Sequence, residues 1–95
     1  MKSPDQQIEK AILVGVETPK SIYPLEETLD ELEQLIQTSG AQTTKRFTQK
    51  LEHPHPKTYI GKGKLEEIQR YTSSHEIDIA VFDDELSPAQ IRNLS

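Results

Sequence analysis

Lys10 to Val16 reads Lys-Ala-Ile-Leu-Val-Gly-Val, a nearly unbroken apolar run closed by Glu-Thr-Pro. It is too short for a buried helix and suits a strand covered on both faces, as strands of parallel sheets are. A sheet of that kind needs helices above and below it, and the rest of the chain must supply them.

Two stretches carry helical periodicity. From Pro24 to Ser39 the apolar residues Leu25, Leu29, Leu32 and Ile36 fall on one stripe, with Leu35 beside it and acids on the other face. Pro24 suits the first turn, Glu26 and Glu27 complement the dipole there, and Gly40 is a natural stop. A second helix is expected from Gly63 or Lys64 to Ser74, with Leu65, Ile68, Tyr71 and Thr72 toward the sheet and Glu66 and Glu67 in its first turn. Between them, Ala41 to Leu51 has strand propensity but few apolar positions, which reads as an edge strand. Ile77 to Phe82 is a third strand, and Ser87-Pro88 supplies an N-cap and first-turn pair for a third helix. The order β-α-β-α-β-α predicts a three-layer α/β fold with a small parallel sheet and right-handed crossovers. Residues 1–9 read as a flexible leader and 10–95 as a single subdomain, cut before a fourth strand. An unpaired third strand is then expected to favour self-association.

At 95 residues there is room for one domain, and 33% apolar with 28% charged residues fits a soluble globular unit rather than a disordered tail. No run is long enough to cross a membrane, and residues 1–10 have no signal-peptide core. Without cysteine there is no disulfide framework, thiolate metal site or thiol catalysis. The expected location is the cytoplasm. The net charge of −5 argues against a general nucleic-acid binder, but it averages two opposed segments. Lys45, Arg46, Lys50, Lys57, Lys62 and Lys64 stand against the single acid Glu52. Glu26, Glu27, Asp30, Glu31 and Glu33 have no base among them. One segment faces anions; the other is solvated or meets cations.

The chemistry concentrates in His53 to Ile68. Pro54 and Pro56 hold its front half extended, and Gly61-Lys62-Gly63-Lys64 then leads into a helix. Free amides and a positive dipole end make such a turn a place to hold an anion. The candidate anion-, RNA- or nucleotide-binding residues are therefore Lys57, Thr58, Tyr59, Gly61, Lys62, Gly63 and Lys64, with Lys45, Arg46 and Lys50. A tight turn with solvated lysines is the competing explanation. The spacing excludes a Walker A loop, since one residue separates the glycines and Leu65 follows Lys64; no third glycine completes a dinucleotide fingerprint. Tyr59 is placed either to stack on a base or to anchor its loop on the core. Asp83, Asp84 and Glu85 are weak Mg²⁺ candidates, or an interdomain contact, or simply a polar turn before the third helix. His53 and His55 lack further ligands, so no metal site is expected. No Ser-His-Asp or paired-acid arrangement stands out, so no catalytic residue is named.

Three blocks carry a resemblance: Ala11-Ile-Leu-Val-Gly-Val16 with its Leu/Glu helix, Pro56-Lys-Thr-Tyr-Ile-Gly-Lys-Gly-Lys-Leu-Glu-Glu-Ile68, and Val81-Phe-Asp-Asp-Glu-Leu-Ser-Pro88. Together they resemble the N-terminal domain of the HflX family of ribosome-associated GTPases. The resemblance implies an α/β subdomain followed by a helical hairpin and a GTP-binding domain. It implies docking on the large ribosomal subunit and its RNA, with ribosome splitting or rescue under stress. GTP and Mg²⁺ belong to the full-length parent; no cofactor and no enzymatic activity are expected of this stretch. The alternatives are an ATP- or GTP-phosphate site at the Gly61-Lys62-Gly63 turn, or a purely structural adaptor to the GTPase domain.

Overall fold

The computed structural model describes residues 8–94, so most of the leader read over 1–9 lies outside the described residues. The elements are β1 (Lys10–Glu17), α1 (Leu25–Thr38), β2 (Gln42–Lys50), α2 (Lys62–Ser74), β3 (Ile79–Phe82) and α3 (Pro88–Leu94). The three strands form one sheet in the order β2-β1-β3, and both pairings are parallel.

The apolar run becomes the central strand, paired along both edges and buried on both faces. Ile12, Val14 and Val16 point to one side, where Phe47, Tyr59, Ile60 and Ile68 complete a core flanked by Leu65, Tyr71 and Leu94. Ala11 and Leu13 point to the other, against Leu25, Leu29 and Ile36 of α1. Helices therefore cover both faces, α1 on one and α2 with α3 on the other, which is the three-layer arrangement expected. Gly15 keeps α1 close: a Cβ there would come within 2.8 Å of Leu25 Cδ1. Gly40, at φ +96°, ends α1 in the left-handed conformation that glycine adopts without cost.

Two boundaries differ from expectation. Helix α2 starts at Lys62 with Gly61 as its N-cap, so Gly63 lies inside the first turn and Glu66 and Glu67 lie beyond it. Strand β3 begins at Ile79 because Ile77 and Asp78 form its approach, with Asp78 bonded to Lys10 on both main chain and side chain. Leu35, 66% exposed, lies beside the α1 stripe, as its spacing indicated.

Candidate functional site: the lysine-bearing rim

Loops following the three strands gather at the C-terminal end of the sheet, where ligands meet folds of this class. The segment after β2 lies across that end. His55 and Tyr59 exchange two main-chain hydrogen bonds, 3.0 and 2.8 Å, closing a tight turn around Pro56, Lys57 and Thr58. Tyr59 leaves this turn at φ 70°, so the left-handed residue here is a tyrosine and neither of the nearby glycines. That strain is held in place because the ring is buried, at 1% exposure, edge-on to Phe82. Its hydroxyl donates to Asp84 Oδ2 (3.0 Å) and accepts the Val16 amide (3.3 Å). Burial raises the hydroxyl pKa well above its ordinary value, and the Asp84 charge adds to the effect.

This geometry decides the role of Tyr59. It anchors its loop to the ends of β1 and β3 and presents no face for a base. Thr58 is likewise turned inward, its hydroxyl donating to the Ile60 carbonyl at 2.7 Å.

Gly61 is held from the sheet side. Its amide donates to Gln49 Oε1 at 2.9 Å, and a Cβ at this position would meet the Gln49 side chain at 3.1 Å. That amide is therefore already engaged. No side chain caps α2, so the amides of its first turn, at Lys62, Gly63 and Lys64, keep the uncompensated positive end of the dipole. Lys64 pairs loosely with Glu67 (3.5 Å), while Lys62 and Lys57 are exposed and form no ion pair among the described residues. Lys50 is exposed at the end of β2, beside an open cleft of about 470 Å³ lined by Glu17, Thr18, Pro19, Leu51 and Glu52.

The two remaining basic residues of the segment go elsewhere, because neighbours on a strand face opposite sides of the sheet. Arg46 lies against α1, where its guanidinium donates to Asp30 (2.6 Å), Glu33 (2.9 Å) and Glu26 (3.0 Å). Hydrogen bonds to Asp30, then Glu33, push its pKa further up. Expected from sequence among the anion-facing residues, Arg46 instead clamps the acidic helix to the sheet. Lys45 lies on the other face, its Nζ 5.1 Å from the ring centres of both Phe47 and Tyr71.

The acidic turn after β3 is bound internally. Asp83 accepts from the Thr28 hydroxyl at 3.1 Å, and Asp84 accepts from Tyr59. Burial raises the Asp83 pKa; the Thr28 bond opposes this and the Asp84 charge adds to it. Among the described residues no three His, Asp or Glu side chains converge as a metal cluster.

Three contributors escaped the sequence reading. Gln49 and Thr28 gave no signal, because each acts through one long-range hydrogen bond. Gln90 did leave one: Ser87-Pro88-Ala89-Gln90 has capping-box spacing. The Gln90 amide donates to Ser87 Oγ (3.1 Å), the Ser87 amide donates to Gln90 Oε1 (2.9 Å), and Gln90 Nε2 reaches the His55 carbonyl (2.8 Å).

Against known proteins, the profile of a family described as GTP-binding GTPase N-terminal matches residues 26–95. The GTPase HflX of Flavobacterium psychrophilum is 51% identical over 88 residues, covering 92% of this chain and 21% of that protein. The GTPase HflX of Lacrimispora saccharolytica is 46% identical over 86 residues, covering 90% and 20%. That of Escherichia coli is 38% identical over 68 residues, covering 72% and 16%. The chain thus spans about a fifth of the length of these relatives, and within that span it belongs to the N-terminal domain of the HflX family of GTPases.

Proposed function

We propose that this domain docks an HflX-type GTPase on the large ribosomal subunit by gripping ribosomal RNA phosphates with its lysine-bearing rim. The observation that carries this reading is that Lys50, Lys57 and Lys62 are all exposed along the segment that runs from the end of β2 to the uncapped N-terminus of α2, on the loop side of a parallel sheet. Phosphate is the anion such a surface suits: it takes charge from lysine and hydrogen bonds from amides without requiring base readout. Net acidity then favours orientation rather than opposing binding. The acids of α1 lie against Arg46 on one face and repel a polyanion there, while the rim attracts it.

In this reading the domain is a binding and regulatory module. GTP hydrolysis, with its Mg²⁺, belongs to another domain of the full-length protein, and ribosome splitting or rescue is an activity of that whole. A nucleotide site at the glycine turn is less favoured, because Gln49 occupies the Gly61 amide that such a site needs first.

The test is sedimentation of full-length protein with large ribosomal subunits across a salt series. Replacing Lys50, Lys57 and Lys62 with alanine should weaken binding and flatten the dependence of log K on log salt, by roughly 0.7–0.9 for each phosphate no longer neutralised. Unchanged affinity and slope would remove the rim from this role.

A further inference from the structure

We infer that α3 is the positioning element of the lysine loop, with Gln90 and Asn93 holding the backbone that presents Lys57; this rests on the docking role proposed for the rim. Between His53 and Thr58 the chain has little of its own to fix it. His53, His55, Pro56 and Lys57 are exposed, and Pro54 and Pro56 have no amide to donate. Its internal bonds are local: His55 with Tyr59, the Lys57 amide to His55 Nδ1 at 3.2 Å, His53 Nδ1 with the Pro54 carbonyl at 3.3 Å, and Thr58 with Ile60 at the far end. Among the described residues, hydrogen bonds to this segment from outside residues 53–60 come from α3 alone. Gln90 Nε2 donates to the His55 carbonyl (2.8 Å), and Asn93 Nδ2 donates to the Lys57 carbonyl (3.0 Å).

The pattern fits a purpose-built tether. Gln90 and Asn93 are three apart and share one face of α3, so both amides reach the same loop. Gln90 is buried to 9% exposure with its carbonyl oxygen fixed by the Ser87 amide, which aims its NH₂ at the loop. Asn93, by contrast, is exposed and touches the body of the fold through this bond, so its role is separable from core packing. Displacing α3 would release both carbonyls at once and unseat Lys57 from the rim.

The experiment uses full-length protein carrying Gln90→Met, Asn93→Ala or both, each neutral in charge. Amide hydrogen exchange is read over residues 55–60, with β1 amides as the stability control, and affinity for large ribosomal subunits is measured with and without Lys57→Ala. Exchange at the Tyr59 and His55 amides should rise about tenfold in the double variant while β1 stays protected. Lys57→Ala should weaken the parent several-fold and the double variant hardly at all, a non-additivity that a general loss of stability does not produce. An equal Lys57→Ala loss in both backgrounds, or unchanged loop exchange, overturns the inference. If Lys57→Ala costs nothing even in the parent, the docking role fails at this residue. Exchange then decides the tether alone: faster over 55–60 upholds it, unchanged overturns it.

Discussion

The Tyr59 hydroxyl donates to the Asp84 carboxylate at 3.0 Å, tying the loop that bears Lys57 to the end of β3. The same oxygen accepts the buried Val16 amide at 3.3 Å, so the ends of β1 and β3 and the loop after β2 meet at one atom. Ligand-facing loops in a small parallel sheet have few partners of their own. Here the Tyr59 side chain, inserted from the loop, joins the strand ends, while Gln90 and Asn93 of α3 hold the exposed part of the loop before it.

Tyr59→Phe removes that atom and keeps the ring. The Val16 amide loses its partner in a buried setting, so the variant should lose about 1–2 kcal/mol in urea unfolding at neutral pH. The alkaline limb gives a second readout. Because the folded-state pKa is raised above the ordinary value of 10.0, the stabilisation is complete below that pH. It drains away as pH climbs past it, since the unfolded chain ionises while the folded one resists. Between about pH 9 and 11 the parent should therefore lose stability more steeply than Tyr59→Phe. Parallel curves would remove the buried hydroxyl from the account.

Arg46 faces three acids of α1, and Arg46→Ala leaves all of them without it. Two of those acids are well exposed, at 72% and 65% of the side chain, so each pair is screened and modest in value. With the better-shielded Glu33 included, the variant should lose about 1–2 kcal/mol at low salt. The loss should shrink toward molar salt, where the screening length falls to about 3 Å. A deficit independent of salt would point to lost packing of the arginine stem instead.

Glu76 sits at φ 52° just past the end of α2, a position where glycine is the usual occupant. It is exposed, and replacing it removes a backbone penalty without opening a cavity. Glu76→Gly should raise stability by about 0.5–1 kcal/mol, after the entropy cost of glycine is set against the relief of strain. A lower thermal midpoint would show that the glutamate makes a compensating contact.

How much of this was legible follows from which interactions are local. The Lys10–Val16 run, the Leu25–Ile36 stripe and the Ser87-Pro88 pair each declared their element, because periodicity and capping act within a few residues. The strand order and both helical layers followed from them. The rim was legible as a place but not as an arrangement. Lys45, Arg46 and Lys50 are one basic segment in sequence, yet strand alternation and the acids of α1 send them to different surroundings. The glycine pair suggested a cradle, but the strain sits at Tyr59 and the Gly61 amide belongs to Gln49. Those outcomes depend on hydrogen bonds between residues 12 to 55 positions apart, to which no local pattern points.

Asp83 offers the last test, because its sign runs against the usual behaviour of a native carboxylate. Burial raises its pKa in the folded state, with Asp84 adding to the rise and the Thr28 hydroxyl opposing it. The folded chain thus holds this proton more tightly than the unfolded one. Asp83 contributes most below the ordinary carboxylate range, and stability is lost as pH rises through the folded value. An asparagine keeps an oxygen to accept the Thr28 hydroxyl while removing the charge that burial penalises. Asp83→Asn should therefore be at least as stable as the parent at neutral pH. Its advantage should fade as pH falls to about 3, where Asp83 itself is neutral in both states. Urea midpoints of the two proteins across that range make the comparison. If the asparagine variant is the weaker at pH 7, the Thr28 hydrogen bond to the ionised carboxylate outweighs the cost of its burial.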